Sequence, residues 1–312
     1  MRILPLTVLI FASAILAATA QLSVEIVADQ DQFLRDESVS LKVRVTNRSG
    51  QTLRLGTDNE WLSFSMEAQE GGAVTKLGEV PVLGEFTLES GQVVTRQVDL
   101  APSFDLSEPG RYLVTATVRI KEWNNEVSSK SRRVEIVRGT KIWEQEFGVP
   151  GATGQPEMRR YILQQAQYQK QLKLFLRLAD LSDQKVFRVY PLGSMVSFSQ
   201  PEAQLNGQNQ LYVLFQTGAR SFAFYLIQPD GDVLLRQTYD YTATRPMLRS
   251  SDEGRIYIAG GVRRITLNDI PPPQPMTNAP VTSVAATNTN TTAAAGGTTN
   301  APSKPDGKRR KK

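Results

Sequence analysis

Strict alternation of apolar and polar residues constrains this chain most. Val39, Leu41, Val43 and Val45 are interleaved with Ser40, Lys42, Arg44 and Thr46. In an extended chain successive side chains point to opposite faces, so this pattern makes one apolar face and one wet face. Leu22-Ser23-Val24-Glu25-Ile26 repeats it, as do Leu62, Phe64 and Met66, and the runs Val93 to Leu100, Tyr112 to Ile120 and Val127 to Val137. Turn residues separate the runs at Ser49-Gly50, Gly71-Gly72, Ser90-Gly91, Pro109-Gly110 and Asn124-Asn125. About seven short strands at this spacing predict a β-sandwich over residues 21–138.

Two segments in this region carry a resemblance. Glu108-Pro109-Gly110-Arg111-Tyr112 leads into Leu113-Val114-Thr115-Ala116-Thr117-Val118. An acid, a Gly and then a Tyr entering a late strand resembles the tyrosine corner of immunoglobulin-like domains, where the phenol hydroxyl bonds backbone across the corner. Asp36 to Asn47 also looks like the second strand of bacterial exported immunoglobulin-like modules. The region is similar to the domain family of a bacillary intracellular proteinase inhibitor. Those modules often have Gly where Asp36 stands. The resemblance implies an immunoglobulin-like sandwich over residues 22–138 and assigns no functional residue.

Residues 139–269 show a different organisation. Gln155-Pro156-Glu157 recurs as Gln200-Pro201-Glu202, and Arg245-Pro246-Met247 follows at the same spacing of 45 residues. From Pro201 the chain passes Asn206-Gly207-Gln208-Asn209 to reach Leu211-Tyr212-Val213-Leu214-Phe215. From Pro246 it passes Ser251-Asp252-Glu253-Gly254 to reach Ile256-Tyr257-Ile258-Ala259, without a gap. Two hairpins complete the pattern, Phe222–Ile227 with Val233–Arg236 and Leu172–Leu178 with Val186–Val189. A Pro-led loop, a strand and a hairpin per unit resembles a β-propeller blade. A closed propeller needs about four blades, and here there are two units and the start of a third. The expectation is therefore a small open or sandwich-like stack, with closure by another chain as the alternative. Residues 158–181 compete as a helix, but Leu172, Leu174, Leu176 and Leu178 recur at period two, which favours strand.

The ends read differently. Arg2, an apolar run from Ile3 to Ala17 and the small residues Ala18-Thr19-Ala20 read as a cleaved export signal over residues 1–20. That places the product outside the cytoplasm: periplasmic, extracellular or peripherally associated with the cell surface. Residues 270–312 are rich in Pro, Thr, Asn and Ala, lack aromatic residues and read as a disordered tail.

Charge then divides unevenly. The 312-residue chain has 36 Lys and Arg against 31 Asp and Glu, a formal +5. Ser303 to Lys312 alone hold six bases and one acid, whereas residues 21–302 hold 29 bases and 30 acids. A near-neutral body thus carries a basic end. The cluster Lys308, Arg309, Arg310, Lys311 and Lys312 suits an anionic envelope polymer, a lipid headgroup, extracellular DNA or an acidic protein, at ~1 kcal/mol per base near an anionic surface. The body's balance argues against a sequence-specific nucleic-acid face.

Composition excludes much chemistry. The chain contains neither Cys nor His. Disulfides, thiol nucleophiles, Cys-ligated zinc, imidazole metal sites and a Ser-His-Asp triad are ruled out, and no cofactor is expected. Carboxylate pairs survive as a possible hydrolase chemistry. Asp180, Asp183, Asp230 and Asp232 lie at hairpin tips, where Asp favours the turn by bonding its own backbone. Asp29, Asp31, Asp36 and Glu37 lack calcium-loop spacing and read as a solvated turn. Arg132-Arg133, Arg159-Arg160 and Arg263-Arg264 point to opposite faces of strands and read as solvated surface. Gly260-Gly261 is no phosphate loop, since neither a helix nor a Lys-Ser/Thr pair follows. Trp61 starts an apolar stripe and belongs to the core. Trp123, before a turn, is the best candidate for an exposed contact.

The expectation is an all-β, non-catalytic binding or scaffold protein of the envelope, tethered by its tail. Sandwich loops or strand edges would meet a protein partner. The alternatives are a secreted protease inhibitor or accessory subunit using sandwich loops, and a carboxylate-dependent hydrolase.

Overall fold

The stripe from Val39 to Val45 folds as predicted, with Leu41, Val43 and Val45 fully buried on one face of a strand. The computed structural model describes residues 22–82, 84–151 and 154–271; the predicted export signal and all but the first two residues of the predicted tail lie outside them. The described residues are all-β, with two short 3-10 turns.

The first region contains β1 (Leu22–Val27), β2 (Gln32–Leu34), β3 (Ser40–Asn47), β4 (Leu53–Leu55), β5 (Leu62–Ala68), β6 (Phe86–Leu88), β7 (Val93–Asp99), β8 (Gly110–Ile120), β9 (Asn125–Ser128) and β10 (Arg132–Val137). One sheet has the order β1-β3-β7 and a second β2-β10-β8-β5, with β9 beside β8. Their apolar faces share one core, Leu41, Val43 and Val45 from the first sheet and Val114, Ala116 and Val118 from the second. This is the sandwich the alternation requires. Each such buried aliphatic side chain contributes ~1.5–3 kcal/mol relative to exposure. A ribbon of β4 and β6 adds Leu53, Leu55 and Leu88 to the same core. Tyr112 Oη donates to the carbonyl of Glu108 at 2.6 Å, so the predicted corner is built as drawn. The run Val127 to Val137 is two strands rather than one, interrupted at Ser129, whose hydroxyl accepts from the amide of Ala116.

The second region begins with β11 (Thr140–Pro150), β12 (Pro156–Tyr168), β13 (Gln171–Asp180) and β14 (Val186–Met195), paired in that order as an antiparallel meander. A second meander follows: β15 (Glu202–Leu205), β16 (Leu211–Gln216), β17 (Ser221–Ile227) and β18 (Val233–Asp240). The third unit supplies only the hairpin β19 (Met247–Ser250) and β20 (Ile256–Ala259). Its last strand, β21 (Val262–Arg264), crosses back to pair with β18. The contested segment, residues 158–181, is strand up to Asp180: it runs through β12 and β13 with the turn between them at 169–170.

The units stack as layers. Leu163, Leu174, Leu176 and Leu178 of the first pack on Leu211, Val213, Phe215 and Ile227 of the second. The opposite face of the second, with Leu214, Phe222, Phe224 and Leu226, packs on Leu248, Ile256 and Ile258 of the third. One alignment from the sequence needs correcting. Pro201 precedes the first strand of its unit, whereas Pro156 opens the second strand of its own. The recurring Pro marks turns of similar chemistry at different places in the blade. The strands of the second and third units do correspond, β15 to β19 and β16 to β20, at an offset of 45 residues.

Candidate functional site

The most densely built polar site joins the two regions. It grows from the turn after β2, where Asp36 takes a left-handed backbone, φ 65°. Asp tolerates that region better than most residues, which accounts for a residue other than Gly at this turn. The turn delivers Asp36 to β13. Arg177 donates to the Asp36 carboxylate at 2.9 Å and to Asp183 at 3.3 Å, and its side chain is 9% exposed. Beside this pair, Leu34 packs on Ala166 and Phe175, with Val137 and Val189 at the margin. The Gln169 amide donates to the side-chain oxygen of Gln32 at 2.6 Å.

Glu37 completes the turn. It is 6% exposed and accepts from the Leu34 amide at 2.7 Å and from Gln30 at 3.2 Å. Burial raises its pKa, and those two hydrogen bonds and nearby Lys173 offset only part of the shift. Lys173 in turn loses basicity through burial and lies 3.3 Å over the Tyr168 ring. The acidic segment is therefore not the uniformly solvated turn expected. Asp29 and Asp31 pair with Lys42 and Arg132 at the surface, while Asp36 and Glu37 are structural. Among the described residues no group of acids could hold a metal ion.

The other singled-out residues are spent within the chain. Asp180 accepts from the Ser182 hydroxyl at 2.6 Å and the Lys185 amide at 3.0 Å. Asp230 accepts from the Asp232 amide at 3.0 Å, and Asp232 pairs with Arg188 at 3.0 Å. These are turn-forming roles. Arg159 pairs with Glu157 at 3.3 Å and lies over the Phe187 ring, and Arg160 pairs with Glu144 at 3.6 Å. Arg263 and Arg264 pair with Asp269 and Asp240. Arg133 is exposed.

Trp61 is in the core, its indole donating to the carbonyl of Val82 at 3.1 Å. Trp123 sits in a 3-10 turn between β8 and β9, half-buried against the sandwich core. The cluster Lys308, Arg309, Arg310, Lys311 and Lys312 lies outside the described residues. Among the described residues no helix is long and apolar enough to cross a membrane.

Sequence reasoning missed Arg177. It sits between leucines that recur at period two, a pattern that places it on the opposite face, but Leu174 to Ala179 are buried without a break. The second face is covered by the sandwich region through Leu34. Phe175, in the polar register of that stripe, was the available signal.

No protein-family model matches the chain, and no curated protein matches it.

Proposed function

We propose that this is an exported, non-catalytic binding or scaffold protein of the cell envelope. In this reading the first region is an immunoglobulin-like module, supported by its two-sheet core and the Tyr112 to Glu108 corner. The second presents stacked blade-like sheets. The basic end tethers the pair to an anionic polymer, lipid headgroup or acidic protein.

One observation carries the preference for binding over hydrolysis. The four carboxylates that could have formed a catalytic pair are committed to their own turns and ion pairs. A general acid needs a carboxyl held without such partners, its pKa raised. Here the pKa of Asp180 is lowered instead, chiefly by the Ser182 hydroxyl.

The tether is tested by fractionation. Cells expressing the full chain should hold it in the envelope fraction, and high salt should release it. Deletion of residues 303–312 should give the same release at low salt. Envelope association unchanged by the deletion would refute the tether.

A further inference from the structure

The third repeat unit stops halfway, and it does so with an open edge. In the second unit β16 is followed by β17 and β18. In the third, Gly260 and Gly261, at φ 77° and 63°, turn the chain away after β20. Among the described residues β20 has a hydrogen-bonded neighbour only on its β19 side. The open groups can be named. The Ser251 amide donates to the carbonyl of Arg255 at 2.9 Å, so Arg255 faces β19. Alternation then turns Tyr257 and Ala259 toward β19, and the N–H and C=O of Ile256 and Ile258 outward.

Three other strands of the repeat region, β18, β14 and β11, have guarded edges. β21 and Ile270 cover β18, the latter exchanging two backbone bonds with Arg236 at 3.0 Å. β14 carries Pro191 and two register shifts against β13. β11 carries Lys141, Glu144, Glu146 and a bulge. Pro, bulges and charge are the usual means of blunting an edge. β20, reading Ile256-Tyr257-Ile258-Ala259, has none of them. Apolar exposure is also concentrated at this end of the chain. Of the twelve exposed large apolar side chains among the described residues, six fall in the last thirty-one: Tyr241, Tyr257, Val262, Ile265, Leu267 and Ile270. Leu235 and Tyr239 of β18, only part-buried, belong to the same cluster as Ile256 and Ile258.

We propose that this edge is the contact between two copies of the chain, with their β20 strands paired antiparallel about a two-fold axis at Tyr257. Three features favour a second copy as the occupant. An antiparallel pair of identical strands is self-complementary by symmetry. The pairing completes a four-stranded sheet, β19-β20 with the same hairpin of the partner, matching the strand count of the first unit. In this register Ile256 faces the partner's Ile258 as a hydrogen-bonded pair, so all four outward groups on each copy are used. Arg255 faces the partner's Ala259, so no like charges meet directly.

The pairing places Tyr257 against the partner's Tyr257 at a non-hydrogen-bonded site, where Cα atoms lie ~4.5 Å apart. That separation is within disulfide reach, ~4.4–6.8 Å. Because the chain has no cysteine, Tyr257→Cys introduces a single thiol on an exposed side chain. Mild oxidation should convert it to a covalent dimer, while Tyr241→Cys, also exposed but off the strand, stays monomeric. Light scattering of residues 21–312 should show a dimer that persists in high salt and without residues 303–312, which separates it from tail tethering. Tyr257→Lys, which sets two like charges on the axis, should weaken it about tenfold or more while leaving the circular dichroism unchanged. A monomer at the highest soluble concentration would overturn the proposal. So would equal cross-linking at positions 241 and 257, or a monomer whose β20 edge instead takes up an added extended peptide.

Discussion

Asp36→Asn isolates the charge that clamps the two regions together. Asn keeps the side-chain shape and tolerates the left-handed backbone of the turn, so the substitution changes little except the carboxylate. It leaves the Arg177 guanidinium, 9% exposed, with Asp183 as its remaining acid at 3.3 Å. Removing one partner of a fully buried ion pair costs ~3–5 kcal/mol. Asp36 is itself 28% exposed, and Asp183 keeps part of the compensation, so the discounted loss is about 1–2 kcal/mol. Asp36→Ala should lose roughly 1 kcal/mol more, because alanine strains at positive φ. Asp36→Gly should recover that backbone increment and match Asn. Chemical denaturation of the four chains, followed by circular dichroism, supplies the ordering wild type, then Asn and Gly, then Ala. Pairing Asp36→Asn with Arg177→Met should show a coupling above ~0.5 kcal/mol. Additive effects, or an Ala variant as stable as Asn, would refute both the clamp and the strain assigned to the turn.

Three further outcomes are expected. Tyr112→Phe removes the bond to the Glu108 carbonyl and should lower stability by ~0.5–1.5 kcal/mol, read from the denaturation midpoint. Glu37 has a folded-state pKa raised above its ordinary 4.5. Its contribution to stability is therefore full below that value and lost as pH rises through the raised pKa. Glu37→Gln should flatten stability against pH across this window, and a slope unchanged from wild type would contradict the assigned burial. Gly261→Ala places a Cβ 2.4 Å from Pro246 Cγ at φ 63°. It should loosen the turn into β21 and raise amide exchange at Val262 to Arg264, while exchange in β3 stays unchanged.

The strands that carry the cores were legible because their burial is one-sided. A half-buried strand writes its period into the sequence, and β1, β3, β5 and β8 each bury alternate residues. The three-residue strands β2, β4 and β6 were not legible, since so short a segment cannot establish a period. The parallel pairing of β10 with β2 joins residues a hundred positions apart and has no local signature. The clamp shows the same limit. Asp36, Arg177 and Leu34 are unremarkable one at a time, and what makes them a site is a long-range contact that buries both faces of β13.

The same reasoning explains why the open edge of β20 follows from sequence and structure together, and from neither alone. The offset of 45 residues aligns β19 and β20 with β15 and β16, but alignment does not reveal which strands pair. The pairing shows β21 leaving the third sheet for β18, but pairing alone does not indicate that two more strands belonged there. Combined, they define a unit whose inner face is finished and whose edge is not. Ile256 and Ile258 are partly buried by the second unit on one side while their backbone groups face outward unshielded. A fold that guards β11, β14 and β18 by charge, Pro, bulge or cover, yet leaves β20 bare, has not avoided pairing at that edge. Unpaired, it is an exposed liability, so a strand taken from outside the described chain is the arrangement that reconciles the two.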